Sequence, residues 1–507
     1  MKRALITVYD KKNIVNFAGK LAKNGYEIVS TGGTANLLQN NKIKVINVSS
    51  LTGFDQMLNG RVKTLHPKIF GGILARDEDK QELIKNQIGF FDIVICNLYP
   101  FEQVIQKNEV TIEEALENID IGGVALLRAA AKNFPRVTVV SDINDYNWVA
   151  DKIESGGSTI EERLFLAQKA FLYTSRYDSI IADFFIRQSQ KENILPSRII
   201  ISLEKDKELR YGENAHQKAA LYREILPASH TDFIQYQGKE LSFNNIIDME
   251  SAFLIANSFT EPASAIIKHR NPCGVGIGNN LSEAFTRALS TDPMSAFGGI
   301  IGLNRAVNAE LAGLIIKSFK EVVIAPEVEN DALEVFKKKK NLRVIVRKTL
   351  NNTPLDFHKT FAGWLIQQTD DHKLYEEEWE FVSAKKPDEE QLAALRFAWK
   401  VAGFVKSNAI VITDSVKTIG IGAGQMSRID AAELAVKKAK QAGLDVSGCV
   451  MASDGFFPFR DSIDFAAKEK ISAVIEPGGS IRDKEVIDAA CEKDIVLIFS
   501  HRRHFRH

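Results

Sequence analysis

Lys268 and His269 stand side by side in the stretch ASAIIKHRNPCG, residues 263–274, where an apolar run meets proline and glycine. An amine beside an imidazole can hold positive charge, move protons and steady a developing oxyanion. The β-branched run Ala265-Ile266-Ile267 reads as a buried strand closed by a turn at Asn271-Pro272 and Gly274. On that reading the pair lies at the carboxyl end of a strand, where open α/β sheets collect their ligands. Taken alone, a Lys-His pair at a strand end is more often a solvated turn than a catalytic dyad.

A second group of chemistry-bearing residues lies in the first quarter of the chain. Thr31-Gly32-Gly33-Thr34 falls between a strand and a helix, where free backbone N–H groups and the helix dipole favour an anion. GRVKTLHP, residues 60–67, packs Arg61, Lys63 and His66 into one loop, a density that suits a phosphate or an oxyanion. Tyr99, in NLYPF, follows a strand, and Asp120-Ile121-Gly122-Gly123 precedes a helix carrying Arg128 and Lys132. Each alone reads as a turn, an N-cap or a solvated face; together they gather on the loops that follow the strands of one α/β unit. There is no GxxxxGK[ST], and the glycine runs 274–278 and 420–424 lack GxGxxG spacing, so neither a P-loop nor a dinucleotide fingerprint is present.

The elements that must hold these residues alternate. Ala4–Val8, Ile28-Val29, Val45–Val48, Ile93–Cys96 and Val137–Val140 read as short strands with helix-length segments between them, which implies a parallel, doubly wound sheet. A capping-box spacing at Ser158–Glu161 opens an amphipathic helix that runs toward Phe185. Polar QSQKENILP, residues 188–196, marks a domain boundary. In the following unit Leu281–Leu289 reads as helix and Ser295–Ile301 as strand. A second boundary falls near Lys385-Lys386-Pro387, after which strand 409–413, helix 430–441 and strand 449–452 repeat the order. The expected domains are therefore 1–195, 196–387 and 388–507.

Composition narrows the class. Over 507 residues, 65 Lys+Arg balance 65 Asp+Glu, which leaves no basic excess for nucleic acid. Four dispersed cysteines, Cys96, Cys273, Cys449 and Cys491, have no metal-ligand spacing and point to a reducing compartment with neither zinc nor disulfides. No apolar run suits a signal peptide or a membrane span, so the cytoplasm is the expected location. A zinc deaminase would need a second cysteine after Pro272-Cys273, and Gly274-Val275-Gly276 follows instead.

The blocks STGGTA, LTGFDQMLNGRVKTLHP, CNLYPF, NIDIGGVALLRAAAKN, LRYGENAHQ, KHRNPCG, IGIGAGQMSR, SDGFFPFRDSID and RHFRH, spread over nearly the whole chain, closely resemble the bifunctional purine biosynthesis family that joins phosphoribosylaminoimidazolecarboxamide formyltransferase to IMP cyclohydrolase. The resemblance implies an α/β fold: a methylglyoxal-synthase-like amino-terminal unit, then two related cytidine-deaminase-like subdomains without zinc. It implies formyl transfer from 10-formyltetrahydrofolate to the aminoimidazole carboxamide ribonucleotide, followed by dehydrative closure to IMP, in a homodimer; the sequence itself calls for no metal. Carried over by motif, the formyltransferase residues are Lys268, His269 and Asn408, with nucleotide contacts at Arg210, Tyr211, Gly298, Glu321 and Arg428 and folate contacts at Ile429, Phe456, Asp461 and Arg503. For cyclisation they are Lys63, Tyr99, Asp120 and Lys132, with Asp10, Lys11, Thr31, Gly32, Gly33, Thr34, Arg61, Thr64, Cys96, Asn97 and Ile121 binding the nucleotide. Tyr9 stands where the family more often carries serine, which puts its share of phosphate binding in question. The competing reading from another class is a purine-nucleotide sensor that kept the folds and lost turnover; intact Lys63, Lys132, Lys268 and His269 argue against it.

Overall fold

The computed structural model describes residues 2–107, 109–189, 194–224, 233–348 and 354–507. They divide into two compact units, Met1–Leu203 with Glu224–Ala228, and Glu204–Arg223 with Ser229–His507. Part of the QSQKENILP segment, 190–193, lies outside the described residues.

The first unit is built on β1 (Lys2–Val8), β2 (Tyr26–Ser30), β3 (Val45–Asn47), β4 (Ile93–Asn97) and β5 (Thr138–Val140), in the order β3-β2-β1-β4-β5. All four pairings are parallel. Strands with apolar residues throughout, such as the fully buried Ile93-Val94-Ile95, need helices on both faces, and the intervening segments supply them. The order reverses at β1, so the loops after β1 and β4 flank a crevice at the carboxyl edge. Asn97 closes its floor: its Oδ1 accepts the amides of Tyr9 at 2.7 Å and Asp10 at 3.0 Å.

In the second unit β6 (Leu203–Leu209) and β7 (Ala219–Glu224) form a two-stranded sheet. A six-stranded sheet follows from β8 (Ile234–Gln237), β9 (Ala263–Lys268), β10 (Asn271–Ile277), β11 (Ile300–Leu303), β12 (Val322–Ala325) and β13 (Arg343–Val346), ordered β10-β9-β11-β12-β13-β8. Beyond the hairpin β14 (Leu355–Thr360) and β15 (Gly363–Gln368) comes another six-stranded sheet. Its strands are β16 (Glu380–Phe381), β17 (Ile410–Thr413), β18 (Thr418–Gly422), β19 (Val450–Ser453), β20 (Ala473–Glu476) and β21 (Val496–Phe499), ordered β16-β21-β20-β19-β17-β18. Both six-stranded sheets have the same plan: an edge hairpin, three parallel strands and an antiparallel closing strand. The repeat expected from element order is thus an architectural duplication. Because β16 already belongs to the last sheet, a division by sheets falls before Lys385-Pro387.

The glycine runs have a packing role in both copies. A Cβ on Gly274 would lie 2.0 Å from Ala288 O, and one on Gly422 would lie 1.9 Å from Ala431 O, so the helices Leu281–Thr291 and Arg428–Gln441 press directly on their hairpins. The hairpins meet where Val275 N donates to Thr418 Oγ1 at 2.9 Å, and one apolar cluster containing Ala265, Val275, Trp399, Val411 and Ile475 spans both sheets.

Three expectations are corrected. Asn271 to Gly274 is no turn: it belongs to β10, antiparallel to β9, with a register shift between Pro272 and Gly274. The turn is His269-Arg270, both left-handed at φ 53° and 64°, the pattern of a two-residue hairpin loop. Residues 295–298 are turn, and the strand begins only at Ile300. Finally, β9 runs against β11, so Lys268 at its carboxyl end sits at the amino ends of β11, β12 and β13. The crevice rule for parallel sheets does not describe this site, because the hairpin inverts the strand that carries it.

Candidate active sites

In the first unit, the helix Gly32–Asn40 starts immediately after β2 with Gly32 at φ 54°, a value glycine adopts without strain. Its bare backbone lets two lysines come close: a Cβ on Gly33 would lie 3.9 Å from Lys11 Nζ, and one on Gly32 would lie 3.9 Å from Lys63 Nζ. Amides at a helix start with two ammonium groups beside them suit an anion. Thr31, the N-cap, makes no side-chain capping bond. Thr34 is turned inward and donates its hydroxyl to Val8 O at 3.0 Å, which leaves its backbone as its contribution. Tyr9 is half exposed, its ring edge-on to Tyr99 at 5.5 Å.

Asp120 caps the helix Ile121–Lys132, accepting from Gly123 N at 2.7 Å, and its own amide donates to Tyr177 Oη at 2.9 Å. Burial raises its pKa, opposed by the Gly123 and Tyr99 amides and by the charge of Lys63. Tyr99 is raised as well, by burial and then by the Asp120 carboxylate. Lys63, Tyr99 and Asp120 thus form one electrostatically coupled group beside the cradle. Thr64 is buried against Gly122, where a Cβ would lie 3.2 Å from its Oγ1. Exposed Arg61 pairs with Glu117, and Ile121 is exposed. Cys96 is sealed in the core, its thiol pushed well above the ordinary range by burial. Lys132 is the last residue of the same helix, and 12 residues at about 1.5 Å each put it about 18 Å along the axis from Asp120. Lys132 thus lies a helix length from Asp120 in the same chain, and both line an open cavity of about 610 Å³ along the helix.

In the second unit, the strained His269-Arg270 turn is held by a residue that sequence reasoning missed. Asp248, on the helix Phe243–Asn257, accepts His269 N at 3.0 Å through Oδ2 and Arg270 N at 2.7 Å through Oδ1. Lys268 donates to Phe297 O at 3.2 Å, next to Gly298 at φ 73°. Asn271, just after the turn, reaches the second copy: its Oδ1 accepts Lys406 N at 3.0 Å, two residues from Asn408. Asn408 itself donates through Nδ2 to Gln425 O at 3.0 Å. Buried Asp454, also missed, organises that segment by accepting from Ser407 Oγ and from Ala409 N, with Arg428 Nη2 at 3.5 Å. It lies inside the SDGFFPFRDSID block, so a buried acid there was a readable signal; nothing around Asp248 marked it.

The remaining residues lie around these two. Glu321 accepts from Asn245 Nδ2 at 2.8 Å, and the Arg210 guanidinium lies 5.5 Å from the Tyr211 ring. Ile429 is half-buried in the first turn of the helix Arg428–Gln441, and Phe456 lies 6.0 Å from the Arg428 guanidinium. Asp461 opens the helix Asp461–Lys468, and Arg503 lies over Phe505 at 4.6 Å. Glu476, at the end of β20, is fully buried with Oε1 unpartnered among the described residues, and burial pushes its pKa up to about 7.

A parallel α/β unit with an anion cradle, followed by a duplicated mixed-sheet unit with a lysine-histidine hairpin, defines a two-site α/β enzyme. A family model for the MGS-like domain matches residues 13–125, and one for the AICARFT/IMPCHase bienzyme matches residues 130–438, more than half of the chain. Proteins named bifunctional purine biosynthesis protein PurH from Thermoanaerobacter sp. and Aquifex aeolicus are each 48% identical to it, and that from Caldicellulosiruptor saccharolyticus is 46% identical, all with full coverage of both chains. The chain belongs to the AICARFT/IMPCHase bienzyme family.

Proposed function

We propose that this chain transfers the formyl group of 10-formyltetrahydrofolate to the amine of 5-aminoimidazole-4-carboxamide ribonucleotide and then closes the product to IMP. The observation that carries the first half is the Asp248-clamped turn presenting His269 beside Lys268, tied through Asn271 to the segment of Asn408. The substrate amine is conjugated to an electron-poor ring and is a feeble nucleophile, so it must lose its proton as attack begins. His269 takes that proton, Lys268 holds positive charge against the tetrahedral oxyanion, and Asn408 steadies the intermediate. Arg210, Tyr211, Gly298, Glu321 and Arg428 bind the nucleotide; Ile429, Phe456, Asp461 and Arg503 surround the folate. On this reading the two six-stranded sheets are the cores of the cytidine-deaminase-like subdomains, 196–387 and 388–507, with β16 passing from the first segment into the second sheet, and residues 1–195 are the cyclohydrolase domain.

In the cyclisation, the carboxamide nitrogen attacks the new formyl carbon within one molecule, and the enzyme supplies mainly geometry and protons. Lys11, Gly32 and Gly33 hold the phosphate, and Asp120 aligns the carboxamide beside Tyr99 and Lys63. Lys132 donates a proton to the departing oxygen from a second copy of the chain, since its own Asp120 is too distant along the helix. Exposed Ile121 and Phe171, on the cavity beside it, are apolar surface of the kind a second copy covers. The cytoplasm is the compartment this reading implies, and no helix among the described residues is long and apolar enough to cross a membrane.

The test is incubation with 10-formyltetrahydrofolate and the aminoimidazole ribonucleotide while IMP is followed. His269→Ala is expected to abolish formyl transfer and to spare cyclisation of the pre-formylated nucleotide. Absence of turnover by the wild type, or loss of both activities in the variant, would overturn the assignment.

A further inference from the structure

We propose that Asp370, His372 and His504 form a site for one divalent transition-metal ion of the zinc class, which ties the carboxy-terminal segment to the loop before β16. The donor atoms already converge. Asp370 Oδ2 lies 2.6 Å from His504 Nδ1 and 3.8 Å from His372 Nδ1, and one ligand atom from each residue lies within 4.8 Å of the others. Ligands bound at about 2.0–2.2 Å to a tetrahedral ion stand roughly 3.4 Å apart, so the ion needs only small adjustments and the departure of the proton between Asp370 and His504. Two imidazoles with one carboxylate select zinc, cobalt or nickel over magnesium or calcium.

Independent features prepare this cluster for an ion. His372 Nδ1 is buried and has no hydrogen-bond partner among the described residues. A Cβ at position 403 would lie 2.9 Å from that nitrogen, so the glycine there leaves space beside it. Asp370 Oδ1 accepts the His372 amide at 3.2 Å, which turns Oδ2 toward the rings. Both rings are braced, His372 against Phe404 at 4.1 Å and His504 against Trp399 at 5.2 Å. Asp371 adds negative charge nearby. The opposing cation, Arg506, is engaged with Phe404 O at 2.8 Å and Ser251 Oγ at 3.2 Å.

The site would be structural. His504 belongs to the segment whose Arg506 exchanges backbone and hydroxyl hydrogen bonds with Ser407, next to Asn408. Fixing His504 fixes the strap behind that residue. Cysteine spacing could not reveal such a site, because its donors are histidine and aspartate brought together from distant parts of the chain.

The experiment uses full-length protein stripped with chelator and titrated with Co²⁺. A visible ligand-field band saturating at one ion per chain is expected, displaced by Zn²⁺ and unaffected by Mg²⁺, with a higher unfolding temperature in Zn²⁺. His372→Ala should weaken binding by more than about a hundredfold, while His358→Ala, at an exposed His-Asp pair, should not change it. If His372→Ala does not fold, Asp370→Asn, which preserves size, carries the same expectation. No saturable band in the wild type, or a band that survives loss of the ligand, overturns the proposal.

Discussion

Asp248→Ala should lower formyl transfer about a hundredfold without affecting cyclisation. The carboxylate accepts two backbone amides, His269 N at 3.0 Å and Arg270 N at 2.7 Å, from consecutive residues that are both left-handed. A non-glycine residue in that region costs about 1–2 kcal/mol, so the turn depends on its surroundings to persist. Hydrogen bonds to a charged acceptor contribute about 1.5–3 kcal/mol each. Exposed His269 softens this, and roughly 3 kcal/mol for the pair is a conservative working figure. If about that much is lost from the population with His269 correctly placed, kcat falls about a hundredfold at 1.36 kcal/mol per decade. Asp248→Asn keeps one acceptor but turns an NH₂ toward the other amide, and should fall between. The assay is single-turnover formyl transfer at saturating nucleotide, with cyclisation of the pre-formylated nucleotide as the control. Formyl transfer within twofold of wild type in a folded Asp248→Ala protein would refute the clamp, as would an equal fall in both activities.

Gly60→Ala should cut cyclisation at least about tenfold and spare formyl transfer, because position 60 has φ 88° and a Cβ there would lie 2.6 Å from Lys63 Cε; unchanged cyclisation kinetics would remove Lys63 from its assigned place. Lys132→Ala should let the formylated intermediate accumulate, and mixed dimers with Asp120→Ala should regain cyclisation, whereas activity no higher than either parent would count against action between copies. Glu476→Gln should stabilise the second unit progressively from about pH 5 to 8. The buried acid has its pKa raised to about 7 from an ordinary 4.5, so the folded chain keeps a proton that the unfolded chain has released, and stability present at low pH is lost as pH rises through 7. The full effect is about 3 kcal/mol, and a constant melting-temperature difference between variant and wild type over that range would contradict it.

Much of the first unit was legible in the sequence. Uniformly apolar short strands separated by helix-length segments require a parallel sheet, and glycines between a strand and a helix suggest an anion site from backbone N–H groups and the helix dipole alone, whereas the approach of Lys11 and Lys63 was set by the fold. Tyr99 stood out because it follows a strand and Asp120 because it precedes a helix, while Lys63 was marked only by the crowding of basic residues in GRVKTLHP. The second unit was harder to read. A two-residue turn of His269 and Arg270 carries no turn signature, so Asn271-Pro272 drew the turn to itself, and the inverted direction of β9 followed from that error. Asp248 gave no local signal, because its role is defined only when its helix lies beneath the hairpin.

The order of elements, the duplicated strand plan and the residue types able to move protons are local properties, and the sequence determined them through periodicity and side-chain chemistry. Which end of the sheet carries Lys268, which carboxylate clamps the turn, and that His372 meets His504 were decided by tertiary structure alone. These are relations between residues distant in the chain. They exist only once hairpins have folded back and helices have packed on glycine, and no repeat of 2 or 3.6 residues encodes them.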